Sequence, residues 1–335
     1  MIKHVSGFLE DSVFVRYPGF VWAPIMLIGA SLISYLVLAW RHEPRPRTLP
    51  DFLERTFALS GWRSRSAVAD VVLFVSRKVL PSLASNGLAF ALAGGVIYVI
   101  GGLGTAPRTT ELGPWGIFGA SLLLVVLFDL GDYMAHLALH RVPLLWELHK
   151  VHHSATFLSP VTSFRVHPCE ALIYTAGHSL TIAPLLGALS FFCRLNVIDL
   201  VDLMFTTNLA VLVLTFNHLK HSHVQISLGP LDYVLISPHM HQLHHSSRLD
   251  HWDKNLGLIF SVWDWTFRTA VREDTKVPVI YGIGRGQSVD AQYTTPYGMF
   301  LLPLVNMTRM ALGRLPAETR PNAAVTDLSG RTFRS

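Results

Sequence analysis

The sequence predicts an all-α, polytopic membrane helical bundle with a histidine-rich cap on its cytoplasmic face, and three observations predict it. The 335 residues are 50% hydrophobic and only 15% charged, with a mean hydropathy of +0.39. An average soluble domain carries about 25% charge, so a surface this poor in charge faces lipid over much of its area. Several charge-free runs approach the roughly 20 residues that one helix needs to cross a bilayer. Finally, of 17 histidines all but His4 and His42 lie between His136 and His251.

Taken in order, the run 20–39 is the first expected span. The basic residues after it (Arg41, Arg45, Arg47, Arg55, Arg63, Arg65, Arg77, Lys78) place that side in the cytoplasm by the positive-inside rule. The N-terminus then lies outside, on an uncleaved anchor, because residues 1–7 are polar and no small-residue cleavage site follows a short apolar region. Residues 51–75 mix aromatics with arginines, as an interfacial helix does. The second expected span is 79–100, followed by an outer loop whose only basic residue is Arg108. The third, 113–128, returns to the cytoplasm, where Asp129, Asp132 and the first histidines emerge. Runs 171–192 and 197–216 read as a helical hairpin turning at Arg194 and Asn196, its second arm weakened by Asp199 and Asp202. After Arg272 hydrophobic periodicity fades, apart from an apolar run at 299–305, and the chain ends in a polar tail. The expected division is an anchor region 1–110, a catalytic domain 111–272 and a cytoplasmic or interfacial tail 273–335. Cys169 and Cys193 alone make neither a disulfide framework nor a four-cysteine metal site.

The histidines fall into boxes. His136 and His140 are four apart and share one helical face. His149, His152 and His153 form an HxxHH box, and His241, His244 and His245 repeat it. Between them, NHLKHSH offers His218, His221 and His223, with at least one further ligand. Packing alone does not account for adjacent histidines preceded by another a turn earlier, twice over, at the ends of apolar spans. Counting two, three, one and three, nine imidazoles converge. Structural zinc takes four ligands and catalytic zinc three, so two five- or six-coordinate ions fit better, a di-metal cap. Imidazole suits iron as well as zinc; iron is the preference that spacing leaves open. No HExxH is present, against a zinc protease. Asp132, four before His136, and Asn217, four before His221, are candidate partners that fix imidazole tautomers. His4, His42 and His178 read as solvated or packed, and His223, His239 and His251 as supporting or incidental.

DYMAHLALH, LWELHKVHHSATFLSPVTSFRVHPCE, HSHVQISLGPLDYVLISPHMHQLHHS and DKNLGLIFSVWDWTF, in this order over residues 129–269, resemble the fatty acid hydroxylase and sterol desaturase superfamily of membrane di-iron oxygenases. The block from His221 to His245, with its LGPLDYVL insert, is most similar to the alkylglycerol monooxygenase type and its bacterial relatives. The resemblance implies iron ligands at His136, His140, His149, His152, His153, His221, His241, His244 and His245. It draws attention to His167, Asn255 and Asp264 as supporting residues, while His218 has no clear counterpart. Leu256 after Asn255, and Arg268 where glycine is usual, depart from the pattern outside the ligand boxes. The resemblance further implies two irons, dioxygen as co-substrate, and hydroxylation of a lipid C–H bond, with desaturation of a sterol or fatty-acyl chain as the alternative. A haem- or metal-binding membrane carrier is the alternative from another class.

No HPGG-type cytochrome b5 segment occurs in the sequence, and GIGRGQ lacks the flanking strand and helix of a dinucleotide site. Electrons are therefore expected from a separate chain, cytochrome b5 or a ferredoxin with an NAD(P)H reductase. The net charge of +5 reads as positive-inside signal and anionic-lipid contact, not as a nucleic-acid footprint. The expected location is a bacterial inner membrane, with the endoplasmic reticulum as the alternative.

Overall fold

The computed structural model describes residues 48–79, 113–193, 217–275, 277–284 and 287–315, with the pairs 325–326 and 332–333. The expected spans 20–39 and 197–216, nearly all of 79–100, and the basic residues Arg41, Arg45 and Arg47 lie outside them, as do His4 and His42.

The described chain is helical. The stretch expected as one interfacial helix is two: α1 (Leu49–Phe57) and α2 (Arg65–Val79). They separate because Ala58 closes α1 in the left-handed region at φ 47, its N–H bonded to Glu54 O. α3 (Pro114–Arg141) starts on a proline and runs 28 residues unbroken, so the third apolar run and the first histidine pair share one helix. α4 (Pro143–His153) follows after a single residue and ends in its HxxHH box. α5 (Glu170–Phe192) covers the run expected as the first hairpin arm. α3 and α5 are the two helices among the described residues long and apolar enough to cross a membrane.

α3 and α5 run antiparallel: Phe128 stacks on His178, Gly131 meets Gly177, and Tyr174 comes near His136. At the crossing a Cβ on Gly177 would lie 2.4 Å from Gly131 O, and one on Gly131 would lie 2.6 Å from Gly177 O. Only glycine lets the backbones come this close.

Beyond α5 come the one-turn α6 (Asn217–Lys220), α7 (Pro238–His244) and α8 (Val262–Thr266). Ser237 caps α7 by accepting the Met240 N–H, and Pro238 fills its first turn. The segment expected as a tail folds back instead, as α9 (Gln287–Gln292), α10 (Pro296–Phe300) and α11 (Leu302–Ala311). Tyr293 and Met299 join Ala69, Leu73, Val151 and Ile283 in one buried core, and Asn306 donates to Glu147 of α4. These helices are too short to show periodicity, which is why composition alone left them a tail. A two-residue antiparallel ladder, Val325–Thr326 with Thr332–Phe333, is the one strand pairing among the described elements. Of GIGRGQ, residues 282–284 lie in neither helix nor strand and a short helix, α9, begins at Gln287; no strand precedes the motif among the described residues.

Candidate metal centre

The ends of α3, α4 and α7 and the residue that follows α6 bring nine buried histidines together in two groups: His136, His140, His149, His153 and His244; and His152, His221, His241 and His245. Within each group the ring nitrogens nearest the centre all lie within 4.8 Å of one another. Helical geometry explains the partition. In α4, His149 and His153, four apart, serve the first group while His152 turns to the second. At α7 the division is reversed: His241 and His245 serve the second group and His244 the first. Each HxxHH box thus feeds both groups, two rings to one and one to the other. The groups share a wall, with His153 and His245 rings stacked at 4.7 Å and His241 and His244 centroids at 5.2 Å.

Outward-facing Nδ1 atoms hold the rings. His136 Nδ1 donates to Leu256 O at 2.7 Å, His244 Nδ1 to Lys254 O at 2.7 Å, and His152 Nδ1 to Arg165 O at 3.1 Å. A carbonyl only accepts, so these rings carry their proton on Nδ1 and, when neutral, turn an Nε2 lone pair to the centre. His149 Nδ1 bonds Glu170 Oε1 at 2.7 Å and His140 Nδ1 bonds Asp253 Oδ1 at 3.2 Å. Burial pushes His149, His152, His153, His241, His244 and His245 well below the usual imidazole range, and neighbouring imidazoles add to the shift. Burial thus favours the neutral, electron-pair-donating form of these six rings.

The inner atoms fit a bound cation. His136 Nε2 faces His149 Nε2 at 3.1 Å; His241 Nε2 faces His221 Nε2 at 3.1 Å and His245 Nε2 at 3.2 Å. One ring proton serves at most one of the two His241 contacts. The buried Nε2 atoms of His153 and His244 have no hydrogen-bond partner at all. Lone pairs crowded in this way repel unless a positive ion lies among them, and all-imidazole donor sets suit borderline transition metals.

The other expected residues are placed as follows. Asp132 does not hold His136, whose Nδ1 is taken by Leu256; its Oδ2 accepts from His178 Nε2 at 3.1 Å, across the α3–α5 contact. Of the two readings the sequence left for His178, solvated or packed, its stacking on Phe128 at 4.1 Å fits the packed one. His167 stands away from both groups: Nε2 donates to Phe300 O and Nδ1 accepts the Cys169 N–H, each at 3.1 Å. Asn255 and Asp264 are buried and tie up the backbone behind the first group. His223, His239 and His251 belong to neither group; the side chains of Asn217 and His218 lie outside the described residues.

Sequence reasoning gave no role to Glu170, Asp253, Arg165 or Lys220. Glu170 closes FRVHPCE and Asp253 opens DKNLG, so carboxylates inside the quoted blocks were the available signal. Arg165, fully buried, donates to Val151 O, Ser66 O, Ser154 Oγ and Asp70 Oδ1, the last at 2.9 Å, clamping α2 and α4 around the carbonyl that holds His152. Lys220 is buried against Leu258 O, and burial pulls it down to about 8 against the opposing charges of Asp129, Asp132 and Asp264. Beside the first group a cavity of about 70 Å³ opens among His140, His153, His244, Trp146 and Trp252. That is room for several water molecules.

The class these features define is a helical protein with two abutting, buried, all-imidazole clusters that could hold metal ions. Residues 121–269 match the fatty acid hydroxylase family model. The chain is 29% identical over 226 residues to an alkylglycerol monooxygenase of Caenorhabditis elegans, covering 67% of this chain and 40% of that protein. It is 30% identical over 170 residues to the human alkylglycerol monooxygenase (51% and 33% covered). It is 27% identical over 159 residues to the ornithine lipid hydroxylase OlsE of Rhizobium tropici (45% and 41%). The chain thus spans about two-fifths or less of the length of these relatives. No solved structure matches it.

Proposed function

We propose that this chain is a multi-pass membrane oxygenase that hydroxylates a C–H bond of a lipid at a di-iron centre. The observation that carries the reading is the pair of abutting imidazole groups, with five and four donors. One ion is assigned to His136, His140, His149, His153 and His244, the other to His152, His221, His241 and His245. Two irons held there supply reductive activation of dioxygen, so that C–H, O2, two electrons and two protons give C–OH and water. The chain's own residues do the rest. Glu170, Asp253 and the carbonyls of Arg165, Lys254 and Leu256 fix the tautomers that aim Nε2 inward. The apolar helices bring the centre to the depth at which a bilayer-dissolved lipid arrives. Leu139 and Leu148, buried beside His140 and His149, exclude water around it.

Hydroxylation is favoured over desaturation because the relatives bear the names monooxygenase and hydroxylase. The electrons come from a separate donor, cytochrome b5 or a ferredoxin with an NAD(P)H reductase. The histidine face is cytoplasmic, in a bacterial inner membrane or the endoplasmic reticulum, with the division 1–110, 111–272 and 273–335.

The test is metal content and lipid products of the purified chain, wild type against His244→Ala. About two irons per chain, no haem band, and an oxygen-dependent lipid alcohol absent from the variant are expected. A haem spectrum, or full turnover by His244→Ala, overturns the reading; an alkene product turns the hydroxylase into a desaturase.

A further inference from the structure

Four consecutive residues, 253–256, supply the outer partners of three of the first group's five imidazoles. Asp253 Oδ1 accepts from His140 Nδ1 at 3.2 Å, Lys254 O from His244 Nδ1 at 2.7 Å and Leu256 O from His136 Nδ1 at 2.7 Å. The segment threads between α3 and α7, and its shape depends on two left-handed residues, Asp253 and Asn255, both at φ 54. Aspartate and asparagine bear that conformation with the least strain among residues other than glycine.

The segment is itself fastened. Asn255 Nδ2 donates to Met240 O at 2.8 Å and Val271 O at 2.9 Å, while its Oδ1 accepts the Val271 N–H at 2.8 Å. Asp264 accepts the N–H groups of Leu256 and Gly257 at 2.8 and 2.9 Å, and Thr269 Oγ1 at 2.6 Å. The second group's His152 is held elsewhere, by the Arg165 carbonyl and the Asp70 clamp beneath it.

We propose that residues 253–256, locked by Asn255 and Asp264, are a positioning strap for the first group alone, so that the two metal positions are held by separate supports and can be emptied separately. This rests on the metal reading above. Loosening the strap frees three rings at once to turn, while His152, aimed at the second position, keeps its own support on the Arg165 carbonyl. Loss of partners that orient a ligating histidine weakens metal binding by about 10- to 100-fold.

The experiment loads the full-length chain in detergent with ferrous iron, removes loose metal with a weak chelator and measures ions per chain by mass spectrometry. Wild type is expected to retain about two, and Asn255→Gly, which keeps the left-handed backbone but loses the amide, about one. Asp253→Ala behaves like Asn255→Gly. Asp253→Asn, still an acceptor for His140, stays near wild type, as does Lys254→Ala, because only the Lys254 carbonyl is used. Combination identifies the emptied position: adding His136→Ala to Asn255→Gly removes no further metal, whereas adding His241→Ala takes the count to near zero.

Retention of both ions by Asn255→Gly, loss of both, or a further loss on adding His136→Ala overturns the strap. Where Asn255→Gly does not purify as a monodisperse protein, the contrast between Asp253→Ala and Asp253→Asn carries the same decision. A wild-type chain that binds no metal overturns the di-metal reading and the strap with it. A wild type with two ions and unselective loss in the variants overturns the strap alone.

Discussion

A carboxylate beside a buried imidazole fixes which nitrogen keeps the proton, and Glu170 does this for His149 at 2.7 Å with both side chains almost fully buried. Glu170→Ala is therefore expected to weaken metal binding about 10- to 100-fold, while Glu170→Gln, which can still accept from Nδ1, recovers most of it. Competition against a chromophoric chelator measures both; equal loss in the two variants would make the charge, not the hydrogen bond, the working feature. At this scale the sequence was uneven. HxxxH and HxxHH spacing made the meeting of these histidines legible, because i, i+3 and i+4 neighbours share a helical face whatever the tertiary structure. The partners of the rings were not legible. Asp132 has the right local spacing for His136, but a carbonyl 120 residues away takes that nitrogen and α5 presents His178 to Asp132 instead. Local spacing sees one helix; hydrogen bonds are settled by whichever element packs against it.

Among elements, the α3–α5 contact decides where the first histidine pair stands. Gly131 lies little more than one turn before His136, and its backbone touches Gly177. Gly177→Leu must force these helices apart, with an expected stability loss of about 1–3 kcal/mol or more from overpacking, and with weakened metal retention because His136 moves with its helix. Gly119→Ala, in the same α3, is the contrast: nothing lies within 4 Å of its added Cβ, so better helix propensity is expected to stabilise by about 0.5–1 kcal/mol. Thermal unfolding in detergent with metal readout compares them; a harmless Gly177→Leu would mean that the crossing does not constrain the centre. Long elements were legible here, since α3 and α5 coincide with long apolar runs. The break at Ala58 was not, because nothing in a left-handed alanine announces itself. Nor was the return of 287–311, whose helices of five to ten residues bury too few side chains to carry a period.

For the molecule as a whole, the question is which surface meets lipid. α3 exposes Trp115, Phe118, Leu122 and Leu123, and α2 turns outward a stripe of Val68, Val71, Val72 and Val75, at the spacing of one helical face. A third apolar surface lies on the histidine-bearing half. Leu231, Tyr233, Val234, Val262, Trp265 and Phe267 are all exposed, with Arg272 over the Tyr233 ring at 4.7 Å. Trp263 Nε1 reaches Asp129 midway along α3, so this third surface lies beside the helix at the depth of its middle turns. Aromatics with arginine beside them are the composition of a membrane–water boundary. Membrane seating of the proposed kind then predicts a labelling pattern. In a background lacking Cys169 and Cys193, single cysteines at Phe118 and Trp265 are expected to resist a charged, membrane-impermeant thiol reagent. One at Asp274, exposed on the loop beyond the cap, is expected to react in inside-out vesicles and not in right-side-out ones. Reaction of Asp274→Cys from the opposite face reverses the proposed orientation. Ready labelling of both Phe118→Cys and Trp265→Cys means that these surfaces meet water, and a lipid substrate must then reach the centre by some route other than lateral entry from the bilayer.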